Sequence, residues 1–272
     1  MLLTALACVA CAALIAYFAP SLMTVGRWQL LHPRTALAAW FGAFFLGMAL
    51  CVAALMLSVG GAVSASVSTP VLDAILLTLG GWVSLALFGA LAFFVVSSAA
   101  PVVASERMSS ATLASVATSR EEFAGYTLVR FDSSDEIAYA VPGRRPAIFL
   151  SSAMERALTP PQLLAVVAHE YAHLRQHHGF AVLVAKINAA CLPGLNQGRS
   201  LNRATTLLVE LAADDAAARQ VGAVFLANAL VTLARNSGDQ SMQLRADRLA
   251  GKQWPRRRGI GRHDTERKLL AR

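Results

Sequence analysis

His169-Glu170-Tyr171-Ala172-His173 is an H-E-x-x-H pentapeptide set in a run of helix formers. Histidines four apart stand one turn above each other on the same helix face, so both imidazoles can reach one metal ion. The glutamate beside the first histidine is placed to take a proton from a metal-bound water rather than to ligate. The surrounding residues predict the helix itself. Thr159-Pro160-Pro161-Gln162 reads as its start, with Thr159 as N-cap, proline at the first helical position and Gln162 closing a capping box. Leu163, Leu164, Val166, Val167 and Ala168 continue it, and Gly179 is the expected C-cap.

Two histidines leave a catalytic zinc one protein ligand short. The next predicted helix, Ser200 to Gln220, contains Glu210-Leu211-Ala212-Ala213-Asp214, in which Glu210 and Asp214 share a face. Glu210 is the expected third ligand, leaving a fourth position open for water. Asp214, one turn on, can accept a hydrogen bond from the second nitrogen of a ligating imidazole. Asp215 is expected to face solvent. His177 and His178 do not fit a third histidine ligand: in the metzincin pattern that residue stands six after the second, where Gly179 is found, so both read as helix-end residues that favour the negative end of the dipole.

Composition adds a membrane. The chain is 56% hydrophobic and only 15% charged, beyond what a soluble domain carries. Three apolar runs, about 2–18, 36–59 and 71–104, are each long enough to cross about 30 Å of hydrocarbon. The first lacks a preceding Lys or Arg and is expected to be retained rather than cleaved as a signal peptide. Arg27 and Arg34 lie between the first two runs, whereas 60–73 holds no Lys or Arg. The positive-inside rule then puts the N-terminus outside and everything after the third run in the cytoplasm; the expected location is a bacterial-type plasma membrane. Phe180 to Leu195 is apolar but carries Lys186 and Asn188, and is expected to touch the membrane or lie buried and return on the same side. The four cysteines sit in apolar stretches, and no disulfide is expected.

Between the third run and the motif, Ser109 to Thr118 reads as a linker or surface helix. Tyr126–Phe131, Ile137–Val141 and Ala147–Leu150 are short β-forming runs, the last two separated by the turn signal Pro142-Gly143. In zinc peptidases an edge strand beside the metal commonly holds the substrate backbone by strand addition. Residues 252–272 contain eight Lys and Arg against Asp264 and Glu266, supplying six of the eight net positive charges of the chain. No nucleic-acid signature accompanies this tail, so it is expected to be disordered and to contact anionic lipid head groups.

The H-E-x-x-H, then Glu210-Leu211-Ala212-Ala213-Asp214, then Arg245-Ala246-Asp247-Arg248-Leu249, behind several apolar spans, resemble the BlaR/MecR-type membrane metallopeptidases. More distantly they are similar to the prenyl-protein and heat-shock membrane metalloproteases. Ala138-Tyr139-Ala140-Val141-Pro142-Gly143 and Ile148-Phe149-Leu150-Ser151 resemble the segment preceding the motif in those families. The resemblance implies a zincin-like domain of the gluzincin type, and it makes Arg245 and Arg248 candidates for oxyanion or substrate contacts. After the catalytic part the chain leaves no room for the extracellular sensor domain of the sensing members, so β-lactam sensing is not expected.

The expected architecture is a membrane α-helical part (1–104), an α+β zincin-like metallopeptidase domain, mostly helical with a small sheet (105–251), and the basic tail. The expected function is zinc-dependent endopeptidase action on protein or peptide at the cytoplasmic face. Two other classes fit the same residues: a signalling or regulatory protease acting on one partner such as a repressor or on itself, and a catalytically silent zinc-binding scaffold.

Overall fold

The structure, a computed structural model, describes residues 2–23, 27–64, 70–115, 117–191, 194 and 196–254. The element order is α1 (Leu2–Met23), α2 (Trp28–Leu31), α3 (Pro33–Val63), α4 (Val71–Ser115), β1 (Ala117–Phe123), β2 (Tyr126–Phe131), β3 (Ala138–Val141), β4 (Ala147–Ser151), α5 (Ser152–Ala157), α6 (Pro160–Arg175), α7 (His178–Cys191), α8 (Asn196–Gln220), α9 (Ala223–Ser237) and α10 (Gln240–Gly251). The basic tail from residue 255 onward lies outside the described residues.

Two compact units divide the chain. The first comprises 1–104 together with 183–208. Its helices α1 and α3, and α4 up to Ala104, coincide with the three apolar runs and are long and apolar enough to cross a membrane. Their large side chains point outward, as with Leu22, Val63 and Phe93. A helix that satisfies its own backbone and presents hydrocarbon all round suits lipid. Pro20 and Pro101 both lie within helix, and α4 continues past residue 104, where the third apolar run ends, to Ser115. A small core gathers Ala36, Trp40, Ala185, Leu201 and Leu208. The indoles there are satisfied: Trp28 Nε1 donates to Met23 O at 3.2 Å and Trp40 Nε1 to Gln29 Oε1 at 3.4 Å.

The second unit comprises 105–182 and 209–272. A four-stranded sheet of order β1-β2-β4-β3 opens it, with β2 and β4 parallel and the outer pairs antiparallel. The segment 117–123, expected to be partly linker, is strand β1; its sequence ATSREEF is polar, and pairing with β2 rather than apolar patterning makes it a strand. Alternation along β2 and β4 feeds two cores. Leu128, Ile148 and Leu150 pack with Val166 and Val167 of α6 and Leu233 of α9, while Val129, Phe131 and Phe149 fill the opposite face. A third core is made largely of alanine: Ala165 and Ala168 of α6, Ala217 and Ala218 of α8, and Ala246 of α10, with Leu226, Leu230 and Leu249. Small side chains let α6, α8 and α10 approach closely, which is what brings three separate sequence segments into one site.

Several boundaries differ from expectation. Helix α6 ends at Arg175 with Gln176 as C-cap, not at Gly179, and α7 begins at His178. Helix α8 starts at Asn196, a turn before Ser200. The apolar α7 is 14 residues long, short of a membrane crossing.

Candidate metal centre

The entry to α6 is built as the sequence indicates: Pro160 opens the helix, and Gln162 Oε1 accepts from the Thr159 backbone N–H at 2.8 Å and from its hydroxyl at 2.9 Å. Two turns on, His169 and His173 present their Nε2 atoms 3.1 Å apart. Glu210, from α8, brings Oε2 to 3.3 Å from His169 Nε2 and Oε1 to 3.6 Å from His173 Nε2. These are the ligand atoms of a group able to hold a metal ion. Donors at about 2.0–2.1 Å around a tetrahedral ion stand roughly 3.3 Å from one another; the two imidazole nitrogens and the nearer Glu210 oxygen are close to that spacing, and one ligand atom from each of the three residues lies within 4.8 Å of the others. The donor types, two imidazoles and one carboxylate, are those of a catalytic His₂Glu set.

Asp214, one turn beyond Glu210 and fully buried, stands with Oδ1 3.0 Å from His169 Nδ1, on a bent line rather than a straight hydrogen bond. Arg245 of α10 closes the cluster. It donates from Nε to Asp214 Oδ2 at 2.8 Å and from Nη2 to Asp214 Oδ1 at 2.6 Å, and Nη1 lies 2.9 Å from Glu210 Oε2.

The electrostatics follow from this crowding. Burial pushes the Glu170 carboxyl up, against the opposing pull of His169, to about 7, and the Ala140 backbone N–H of β3 donates to it. Burial would lower His169, but its contacts with Asp214 and Glu210 outweigh that and lift it to about 9. His173 is pulled down to about 3, by burial first and then by the charge of His169. Burial would raise Glu210 and Asp214; the neighbouring His169 and Arg245 override it for Glu210, holding it at about 2, and Arg245 first and then His169 hold Asp214 well below the ordinary carboxylate range.

Of the residues singled out in the sequence, His169, Glu170, His173, Glu210, Asp214 and Arg245 converge. Arg248 does not join them; its Nη2 binds Asp215 Oδ1 at 2.8 Å. Asp215 is buried, not solvent-facing as expected, because Arg248 and Lys252, the latter at 2.6 Å, neutralise it within the fold. His178, read as a helix-end residue, is instead buried with Nδ1 3.1 Å from His173 Nδ1. No helical periodicity points to that contact, since it depends on the break between α6 and α7. Nor does the sequence indicate which strand lies beside the motif; β3, an edge strand, packs on α6.

The family model of peptidase family M48 matches residues 104–263, more than half of the chain. Compared with curated proteins and with solved structures, the chain has no match. With a His-His-Glu cluster able to hold a metal and a family model spanning the helices that carry it, the chain belongs to peptidase family M48, a family of zinc metallopeptidases.

Proposed function

We propose that this protein is a membrane-anchored zinc endopeptidase whose ligands are His169, His173 and Glu210 and whose general base is Glu170. The observation that carries the reading is the convergence of two imidazole nitrogens 3.1 Å apart with the Glu210 carboxylate at 3.3 and 3.6 Å, beside the half-buried Glu170 carboxyl. Bound zinc supplies Lewis-acid polarisation of a carbonyl and acidifies water toward neutral pH. The protein's residues do the rest. Glu170, with its carboxyl raised to about 7, is poised to take a proton from attacking water and give it to the leaving amine. Asp214 orients His169, and Arg245 fixes Asp214 and Glu210 relative to each other. The outer edge of β3 offers backbone groups to an extended peptide, which makes protein or peptide the substrate class.

In this reading 1–104 anchors the protein, 105–251 is the peptidase domain, and 252–272 is a basic tail suited to anionic lipid. Arg27 and Arg34 between the first two spans support an outside N-terminus and a cytoplasmic catalytic part. The narrower BlaR/MecR-type kinship rests on the order of the three motifs, and with it a regulatory role on one partner.

The test is cleavage of an unfolded generic substrate, and of the chain itself, by detergent-purified wild type and Glu170→Gln at matched zinc content. Cleavage by wild type alone is expected. Equal cleavage by both would remove Glu170 as base, and zinc bound by both with no cleavage of any substrate would favour the scaffold reading.

A further inference from the structure

His178 opens α7 and is only 2% exposed, its ring meeting that of His173 edge to face with centroids 4.9 Å apart. On one continuous helix the two could not touch, because five residues at about 100° each place them roughly 140° apart around the axis. The chain makes the contact by stopping α6 at Arg175 and turning through Gln176 and His177. His177 has φ 52°, a positive value that no other non-glycine among the described residues adopts. Such a conformation costs a residue with a Cβ on the order of 1–2 kcal/mol. The His177 carbonyl then accepts from the Phe180 N–H at 3.0 Å and α7 begins, with His178 folded back under His173.

The protons on the two rings follow from the site. His173 turns Nε2 toward His169 and Glu210, so a metal there takes the Nε2 lone pair and leaves the proton on Nδ1. Two Nδ1 atoms 3.1 Å apart then form one hydrogen bond, in which His173 donates and His178 accepts. We propose that His178 is the positioning residue of His173, fixing its tautomer and ring plane by accepting the Nδ1 proton. This rests on the zinc reading given above. A neutral acceptor also suits the charge of the site. Zinc and Arg245 together balance Glu170, Glu210 and Asp214, and a carboxylate at position 178 would add an uncompensated buried charge.

The experiment is zinc affinity of the detergent-solubilised full chain by chelator competition, for wild type, His178→Asn, His178→Gln and His178→Leu. Asparagine puts its carbonyl oxygen where Nδ1 stands. Glutamine is closer in volume but carries its oxygen at the place of Nε2, away from His173. The expected order is Asn within about threefold of wild type and Gln and Leu weaker by about 10–100-fold. A filling role alone would rank Gln at or above Asn, and that ranking overturns the proposal. So does unchanged affinity in Gln and Leu, while loss of zinc in His169→Ala would leave the metal site itself standing. A wild type that binds no zinc overturns the site reading and the role of His178 together. Should the Leu variant fail to fold, the Asn and Gln pair decides.

Discussion

Arg245 grips Asp214 through two parallel hydrogen bonds, 2.8 Å from Nε and 2.6 Å from Nη2, in a pocket where Asp214 has no exposed surface. A planar guanidinium meets a carboxylate fork to fork, and lysine cannot reproduce that geometry. Arg245→Ala leaves a buried carboxylate without its cation and is expected to cost about 3–5 kcal/mol in the zinc-free protein. Arg245→Lys should recover only part of it. Thermal melting in detergent, with the Asp214→Leu/Arg245→Leu double variant losing less than the sum of the singles, checks this.

Asp214 and Asp215 are adjacent in α8 yet about 100° apart around it, and they serve different clusters. Asp214→Asn is expected to weaken zinc about 10–100-fold by disturbing the ring of His169. Asp215→Asn should instead lower stability, since Arg248 and Lys252 lose their shared anion, with zinc affinity close to wild type. Measuring both quantities on both variants separates the two aspartates; equal zinc affinities would contradict the assignment.

Tyr126 stacks on Phe123 and meets Tyr171 of the motif helix at 5.2 Å between ring centroids. Burial, with the charges of Tyr171 and Glu121 adding to it, pushes its hydroxyl from 10.0 up to about 12. A phenol whose folded pKa is raised binds its proton more tightly in the native state, so stability falls as pH rises from about 10 toward 12. One tyrosine is expected to ionise late in an alkaline absorbance titration. Tyr126→Phe should remove that late step, and with it this part of the alkaline loss of stability.

Zinc binding to the folded chain alone stabilises it by about 2.7 kcal/mol at a hundredfold excess over Kd. Chelation is therefore expected to lower the melting temperature of wild type and of Glu170→Gln alike, because Glu170 is not a ligand. His169→Ala should show no change in melting temperature on adding zinc or chelator. A chelator response in Glu170→Gln much smaller than in wild type would place Glu170 among the ligands.

The i, i+4 spacing of His169 and His173 and the i, i+4 spacing of Glu210 and Asp214 were readable because helical periodicity fixes which residues share a face. Three apolar runs, three of the four strands among the described residues and the capped start of α6 were readable for the same reason: each is a local pattern with a local cause. Strand β1 was not, because its polar residues are held by hydrogen bonds to β2, a partner no local pattern names.

What the sequence by itself determined is the chemistry on offer: a two-histidine helix face with a neighbouring base, a carboxylate pair on another helix, and hydrophobic spans. Only the tertiary structure decided how these meet. The alanine-lined packing of α6, α8 and α10 sets Glu210 at 3.3 Å from His169 and turns Arg245, not Arg248, into the cluster. Burial with two cations keeps Asp215 inside against its polarity, and the left-handed turn at His177 brings His178 beneath His173. The physical reason is that ion pairing and ring-to-ring contact act across space between chain segments, whereas sequence periodicity reports only which way each segment faces its own axis.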